Sequence, residues 1–322
     1  MADDDPTGVT GEDPTGVTGD DKTGMSGDDP TGMVGVRLML GSRPRPVGWA
    51  ARRQRIEEVG TTWPVADDIR LEAVDAGGVP AEWSTAPGAA ASDVLLFLHG
   101  GGYCSGSIVS HRSLATEAGR AAGARTLALQ YRLAPEHPFP AALDDALAAW
   151  EWLLASGYAP DRIVVGGDSA GGGLALALRQ VLRDRGAASP ACLWLVSPWT
   201  DLTLSGSSMT EKDAADPLLH RPYLDELAAA YLAGGVGRRE PLVSPLFADL
   251  RGLPPTLVQV GTDEVLLDDA VRLVRAAGAA GAAATLQTWP GMIHAFPLWN
   301  GGLPAGREAL AEMGRFVRRH LD

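Results

Sequence analysis

Cysteine is nearly absent from this 322-residue chain: Cys104 and Cys192 are the only two, each inside an apolar segment and at no metal-ligand spacing. Two reduced, buried thiols in a cytoplasmic protein are what that usage implies. No apolar run approaches the roughly 18 residues that a membrane-spanning helix requires. The chain opens acidic rather than basic and then apolar, so neither a membrane anchor nor a secretion signal is read. A basic excess is also missing. The formal charge is −13, which argues against a nucleic-acid partner. Aromatic residues make up only 6%, nine of them Trp, yet hydrophobic residues reach 45%, enough for one large domain with a sizeable core.

The acidity is concentrated at the start. Residues 1–36 hold eight Asp and Glu12 against Lys22, a net −8, leaving −5 for the rest. Within them, residues 5–36 form four copies of an eight-residue unit, DPTGVTGE, DPTGVTGD, DKTGMSGD and DPTGMVGV. A unit with one or two apolar residues and two glycines has little to bury, so 1–36 is expected to be a loosely held tail without chemistry. Arg37, Arg43, Arg45, Arg52, Arg53 and Arg55 follow, a basic stretch that attracts the acidic repeat electrostatically. Residues 37–68 are expected to form an N-terminal cap segment.

From about residue 69 the texture changes. Runs at 69–74 and 79–83 read as strands joined by the Gly77-Gly78 turn, and apolar runs follow at 94–98, 126–129, 163–165, 192–196, 256–260 and 285–289. Helical stretches lie between them at 112–123, 141–155, 170–184 and 264–280, and an amphipathic one at 305–320 ends the chain. Buried strands alternating with helices predict an α/β domain over 69–322, with a mostly parallel eight-stranded sheet flanked by helices and opened by a hairpin. The segment from about 202 to 240 is helical around 223–232 but supplies no strand. It is therefore expected to lie as a lid over the end of the sheet where such folds hold ligands.

Two glycine-rich turns close strands. Gly167-Asp168-Ser169-Ala170-Gly171 passes from a strand directly into a helix. That turn is tight enough to demand small neighbours, and it would lift the Ser169 hydroxyl above the sheet at a helix N-terminus. His99-Gly100-Gly101-Gly102-Tyr103 ends the strand at 94–98. Its glycines leave amide N–H groups uncovered, able with the Ala170 amide to receive an oxyanion.

HGGGY at 99–103, YRLAPEHPFPAALDD at 131–145 and GDSAGG at 167–172 together resemble the hormone-sensitive-lipase family, the bacterial esterase group often called family IV. The similarity covers roughly residues 70–320, with three motifs in the family's order and spacing, and it excludes the repeat. It implies an α/β-hydrolase fold with a helical cap over the site, and hydrolysis of short acyl esters with no cofactor and no metal. The family's oxyanion donors carry over to Gly101, Gly102 and Ala170.

In such hydrolases the catalytic residues follow the chain order serine, acid, histidine. Of six histidines only His220, His294 and His320 lie beyond Ser169. His220 falls in the lid, ahead of the acid segment, and His320 at the end of the last helix, which leaves His294 as general base. The family's acid pattern is Asp-x-Leu-x-Asp, and Glu264-Val265-Leu266-Leu267-Asp268 occupies it without a gap. Glu264 is thus the favoured acid, and Asp263 takes the role only if one residue is inserted. Arg132, Glu136 and His137 are expected to brace their loop, and Asp168 to fix the loop beside the nucleophile.

The sequence is therefore read as a serine carboxylesterase acting on small-molecule esters of short to medium acyl chain through an acyl-enzyme. Lactone hydrolysis is the nearest alternative, since a cyclic ester needs the same residues. A non-catalytic ligand-binding module on the same fold would lack a triad member, and none is missing. Association of the chain with further copies of itself is left open.

Overall fold

The computed structural model describes residues 32–42 and 46–321. Most of the octapeptide repeat, together with Arg43 and Arg45, lies outside the described residues. Of its last copy, residues 32–36 are described. Here Met33-Val34 stands where the other copies have Val-Thr or Met-Ser, and Met33–Gly41 forms helix α1. Val36 is buried on it, against Ile293, Phe296 and Trp299, so the boundary expected at residue 36 falls inside a helix.

Helix α2 (Trp49–Gly60) follows. Strands β1 (Arg70–Asp75) and β2 (Pro80–Thr85) make the expected antiparallel hairpin, with Arg70 opposite Thr85. β3 (Ala90–Leu98), α3 (Ile108–Ala122), β4 (Ala124–Leu129), α4 (Ala141–Ala155), β5 (Ile163–Asp168), α5 (Ala170–Asp184) and β6 (Cys192–Val196) then alternate. The lid carries the short α6 (Ser208–Glu211) and α7 (Arg221–Tyr231), and contains no strand. β7 (Thr256–Gly261), α8 (Leu267–Ala279), β8 (Ala284–Trp289) and α9 (Pro304–Leu321) complete the order.

The eight strands form one sheet in the order β1-β2-β4-β3-β5-β6-β7-β8. β2 runs antiparallel to β4, and every pairing from β4 through β8 is parallel. The central strands read as continuous apolar runs because both faces are covered. Along β3, Leu95 and Phe97 pack with Leu114 of α3 and Met313 of α9. Leu96 and Leu98 point the other way, toward Trp150 of α4 and Leu174 of α5.

Two helix starts depart from the sequence reading by three residues or more, each for a local reason. α3 begins at Ile108 because Ser107 caps it in a box closed by Ser110 rather than by Glu or Gln. α8 begins at Leu267 rather than 264. Ahead of it the Glu264 carboxylate folds back to accept the Gly261 N–H (3.0 Å), and the Val265 N–H is taken by Asp216 Oδ2 of the lid (3.0 Å). No helix among the described residues is long and apolar enough to cross a membrane.

Candidate active site

Four parallel strands deliver the candidate residues to one end of the sheet: β3 leads into Gly101 and Gly102, β5 into Ser169, β7 into Glu264 and β8 into His294. Ser169, Gly101, Gly102 and His294 line a single cavity of about 430 Å³. That size suits a small organic ligand. Its walls come from α1 and α2 on one side, through Leu40, Ile56 and Val59, and from the lid on the other, through Leu219, Leu224 and Leu227.

Ser169 sits at φ +53°, ψ −120°, a conformation that non-glycine residues rarely hold and that clusters at functional sites. Two backbone bonds fix it there: its N–H donates to Val196 O (2.8 Å), and its carbonyl accepts from the Trp199 N–H (2.9 Å). The turn is possible only with small neighbours. A Cβ at Gly171 would collide with the Leu98 carbonyl, and one at Gly167 would lie 2.5 Å from the same oxygen. Ala170, the first residue of α5, has an N–H that no helical carbonyl can reach.

The glycine loop is held from below. Asp168, buried beneath Ser169, accepts the Gly100 N–H (2.9 Å), and its other oxygen is 3.3 Å from His111 Nε2. Burial alone would raise the Asp168 pKa, but the imidazoles around it, His111 foremost, bring it below the usual carboxylate value. Asp168 is thus the loop-fixing acceptor expected. Tyr131 braces the same loop, its hydroxyl donating to His99 O (2.6 Å) and its ring stacked on the His99 imidazole at 4.1 Å. Burial pushes the His99 pKa down to about 3, so the ring is neutral. The bracing expected of the 131–145 motif also takes the form of ion pairs: Arg132 holds Asp145 (2.6 Å), and Glu136 holds Arg53 (2.6 Å). His137 donates its backbone N–H to Leu133 O.

The lid rests directly on this loop. A Cβ on Gly102 would lie 2.5 Å from Leu227 Cδ1, the Cys104 thiol points at Leu227 O (3.8 Å), and Tyr103 stacks on Tyr231 at 3.8 Å.

His294 Nδ1 meets Glu264 Oε1 at 3.2 Å, with Glu264 fully buried. The second oxygen, Oε2, accepts from Ser197 Oγ (2.7 Å) and from the Gly261 N–H (3.0 Å). Burial alone would lower the His294 pKa, yet the hydrogen bond and charge of Glu264 outweigh it and raise the pKa above its ordinary 6.5. Asp263 goes elsewhere. A third exposed, it pairs with Arg37 of α1 (2.9 Å), and Arg37 also donates to the lid carbonyl of Ala215 (2.8 Å). His220 lies on the lid wall of the cavity, while His320 bonds its own helix, at Phe316 O.

Two residues of the site were not singled out from sequence. Ser197, at φ +44° and fully buried, donates to Glu264 and accepts the Ala295 N–H (3.0 Å), so one hydroxyl links the Glu264 carboxylate to the backbone beside His294. Asp216 accepts from Leu218 N, Leu219 N and Val265 N, pinning the lid to the residue after Glu264. Its only sequence signal is the turn-forming Asp216-Pro217 pair.

A family model described as the alpha/beta hydrolase fold matches residues 95–298. The chain is 47% identical to an acetyl-hydrolase of Streptomyces hygroscopicus over 247 residues, covering 77% of this chain and 82% of that protein. It is 35% identical to an esterase of Acinetobacter venetianus, covering 83% of this chain and 88% of that one. Among solved structures, an esterase from the bacterial hormone-sensitive lipase family superposes with a TM-score of 0.87 at 46% identity, covering 90% of this chain and 97% of that one.

Proposed function

Because the chain belongs to the α/β-hydrolase family, and within it to the bacterial hormone-sensitive-lipase esterases, we propose that it is a serine carboxylesterase working on short- to medium-chain acyl esters through an acyl-enzyme. The observation that carries this reading is the conjunction at one cavity of a serine on a strained elbow and an imidazole whose Nδ1 is held by a buried carboxylate.

In this reading Glu264 holds the His294 tautomer whose Nε2 is free to take a proton. His294 removes the Ser169 proton as Oγ attacks the ester carbonyl, and the Gly101, Gly102 and Ala170 amides receive the oxyanion. His294 next protonates the departing alcohol, leaving Ser169 acylated. Water then attacks the acyl carbonyl with His294 again as base, releasing the acid and restoring the serine. The residues perform this with protons and amide dipoles alone. Two free, buried thiols, Cys104 and Cys192, fit a cytoplasmic enzyme.

Ser169→Ala tests the reading. Turnover of p-nitrophenyl butyrate should fall by several orders of magnitude with the circular dichroism spectrum unchanged, and labelling by an organophosphate should disappear. Wild-type turnover by a folded Ser169→Ala protein would refute it. In the parent protein the rate should fall from butyrate to octanoate, because a cavity of about 430 Å³ shared by acyl and alcohol parts limits the chain it encloses.

A further inference from the structure

Helix α2 turns Arg52, Arg55, Ile56 and Val59 toward the catalytic cavity. This is a stripe of one helical face, and for a neutral acyl chain such a stripe would be apolar throughout. Its two arginines, and Arg53 beside them, differ in what they hold. Arg53 binds Glu136 and donates to the carbonyls of Cys104 and Ala134. Arg52 pairs with Glu226 at 2.7 Å and lies 4.9 and 5.0 Å from the Trp49 and Tyr223 rings. Arg55 is partly buried on the cavity wall and holds no carboxylate or carbonyl among the described residues.

The acids lining the same cavity are already matched. Glu226 is held by Arg52, and Asp168 by the Gly100 amide and His111. Among the described residues, Arg55 is therefore the uncompensated charge of the wall, a cation in a chain of net charge −13. Its guanidinium offers a planar fork of donors that fits a carboxylate through two parallel hydrogen bonds.

We propose that the preferred ester carries a carboxylate on its acyl or its alcohol part, and that Arg55 receives it. The proposal rests on the esterase reading above and deepens it to a substrate class. Placed there, a carboxylate would be drawn in against the overall negative field of the protein by the one cavity arginine that holds no acid among the described residues, and charge complementarity of this kind acts on selectivity.

The experiment compares kcat/KM for matched esters on the full chain. Monophenyl adipate against phenyl hexanoate places the charge on the acyl side, and 4-acetoxybenzoate against phenyl acetate places it on the alcohol side. In at least one pair, Arg55→Gln should lower the charged-to-neutral ratio about tenfold, and Arg55→Lys should recover part of it. The pair that responds identifies which half of the substrate Arg55 reads. If Arg55→Gln changes both members of each pair by the same factor, the inference is overturned while the esterase reading stands. If the parent protein hydrolyses none of the four esters, the esterase reading fails first.

Discussion

Replacing Glu264 by Gln should disable the protein through one proton. Two donors, the Ser197 hydroxyl and the Gly261 N–H, converge on Glu264 Oε2 at 2.7 and 3.0 Å. In the Gln variant the amide oxygen must take that place, because an NH₂ there would face two donors in a buried site. The NH₂ then occupies the position of Oε1, 3.2 Å from His294 Nδ1, and itself needs an acceptor. The imidazole supplies one by moving its proton to Nε2, the nitrogen that must accept from Ser169. By analogy with the serine-protease amide variant, turnover falls on the order of 10⁴-fold, or about 5.4 kcal/mol of transition-state stabilisation. Asp263→Asn loses only the pair with Arg37, in which both side chains are a third exposed. A pair of that kind is worth roughly 0.2–1 kcal/mol, so turnover should change less than about fivefold. Initial rates on p-nitrophenyl butyrate, with circular dichroism to confirm folding, separate the two variants. An inactive Asp263→Asn beside an active Glu264→Gln would refute the argument and move the acid by one residue.

Three further outcomes follow from the geometry. The acid limb of kcat/KM should have its midpoint above 6.5, because the Glu264 hydrogen bond and charge outweigh the burial that lowers the His294 pKa; a midpoint below that value contradicts it. Asp269, buried with Oδ2 on the Thr200 and Asp201 amides, has its carboxyl pushed up by burial to about 7 from 3.8. Its contribution to stability is complete below pH 3.8 and is lost as pH rises through 7. Asp269→Asn should therefore flatten the decline of Tm over that window, and an unchanged slope would show that the group does not titrate there. Deleting residues 1–31 should leave Tm and turnover nearly unchanged, whereas deleting 1–41 removes Val36 from its cluster and Arg37 from Asp263 and should lower both; equal behaviour of the two truncations would contradict the role given to α1.

What was legible in the sequence was what depends on short-range pattern. β6 at 192–196 was read with its observed limits, because an apolar run set between Pro190 and Ser197-Pro198 leaves little freedom of assignment. Ser169 and the Gly101-Gly102 loop were legible because steric demands leave only glycine at fixed offsets. Helices α1 and α2 were not. They bury few residues, Val36 alone on α1 and none on α2, so their faces carry too weak a hydrophobic period to announce them. Ser197 and Asp216 were missed for a different reason. Their partners, Glu264 at 67 residues' distance and Val265 at 49, are brought to them by the sheet, and no local pattern encodes such a meeting.

The seating of α7 on the glycine loop bears on protein engineering. Exchange of lids between relatives is an obvious route to a new substrate range, but here Leu227 fills the space over Gly102, and Tyr231 stacks on Tyr103. A transplanted lid that brings a different side chain to either position shifts the amides proposed to receive the oxyanion, so selectivity and rate change together. Chimeras should therefore move the loop at 99–106 and the helix at 221–231 as one block, with graft boundaries in the strands on either side.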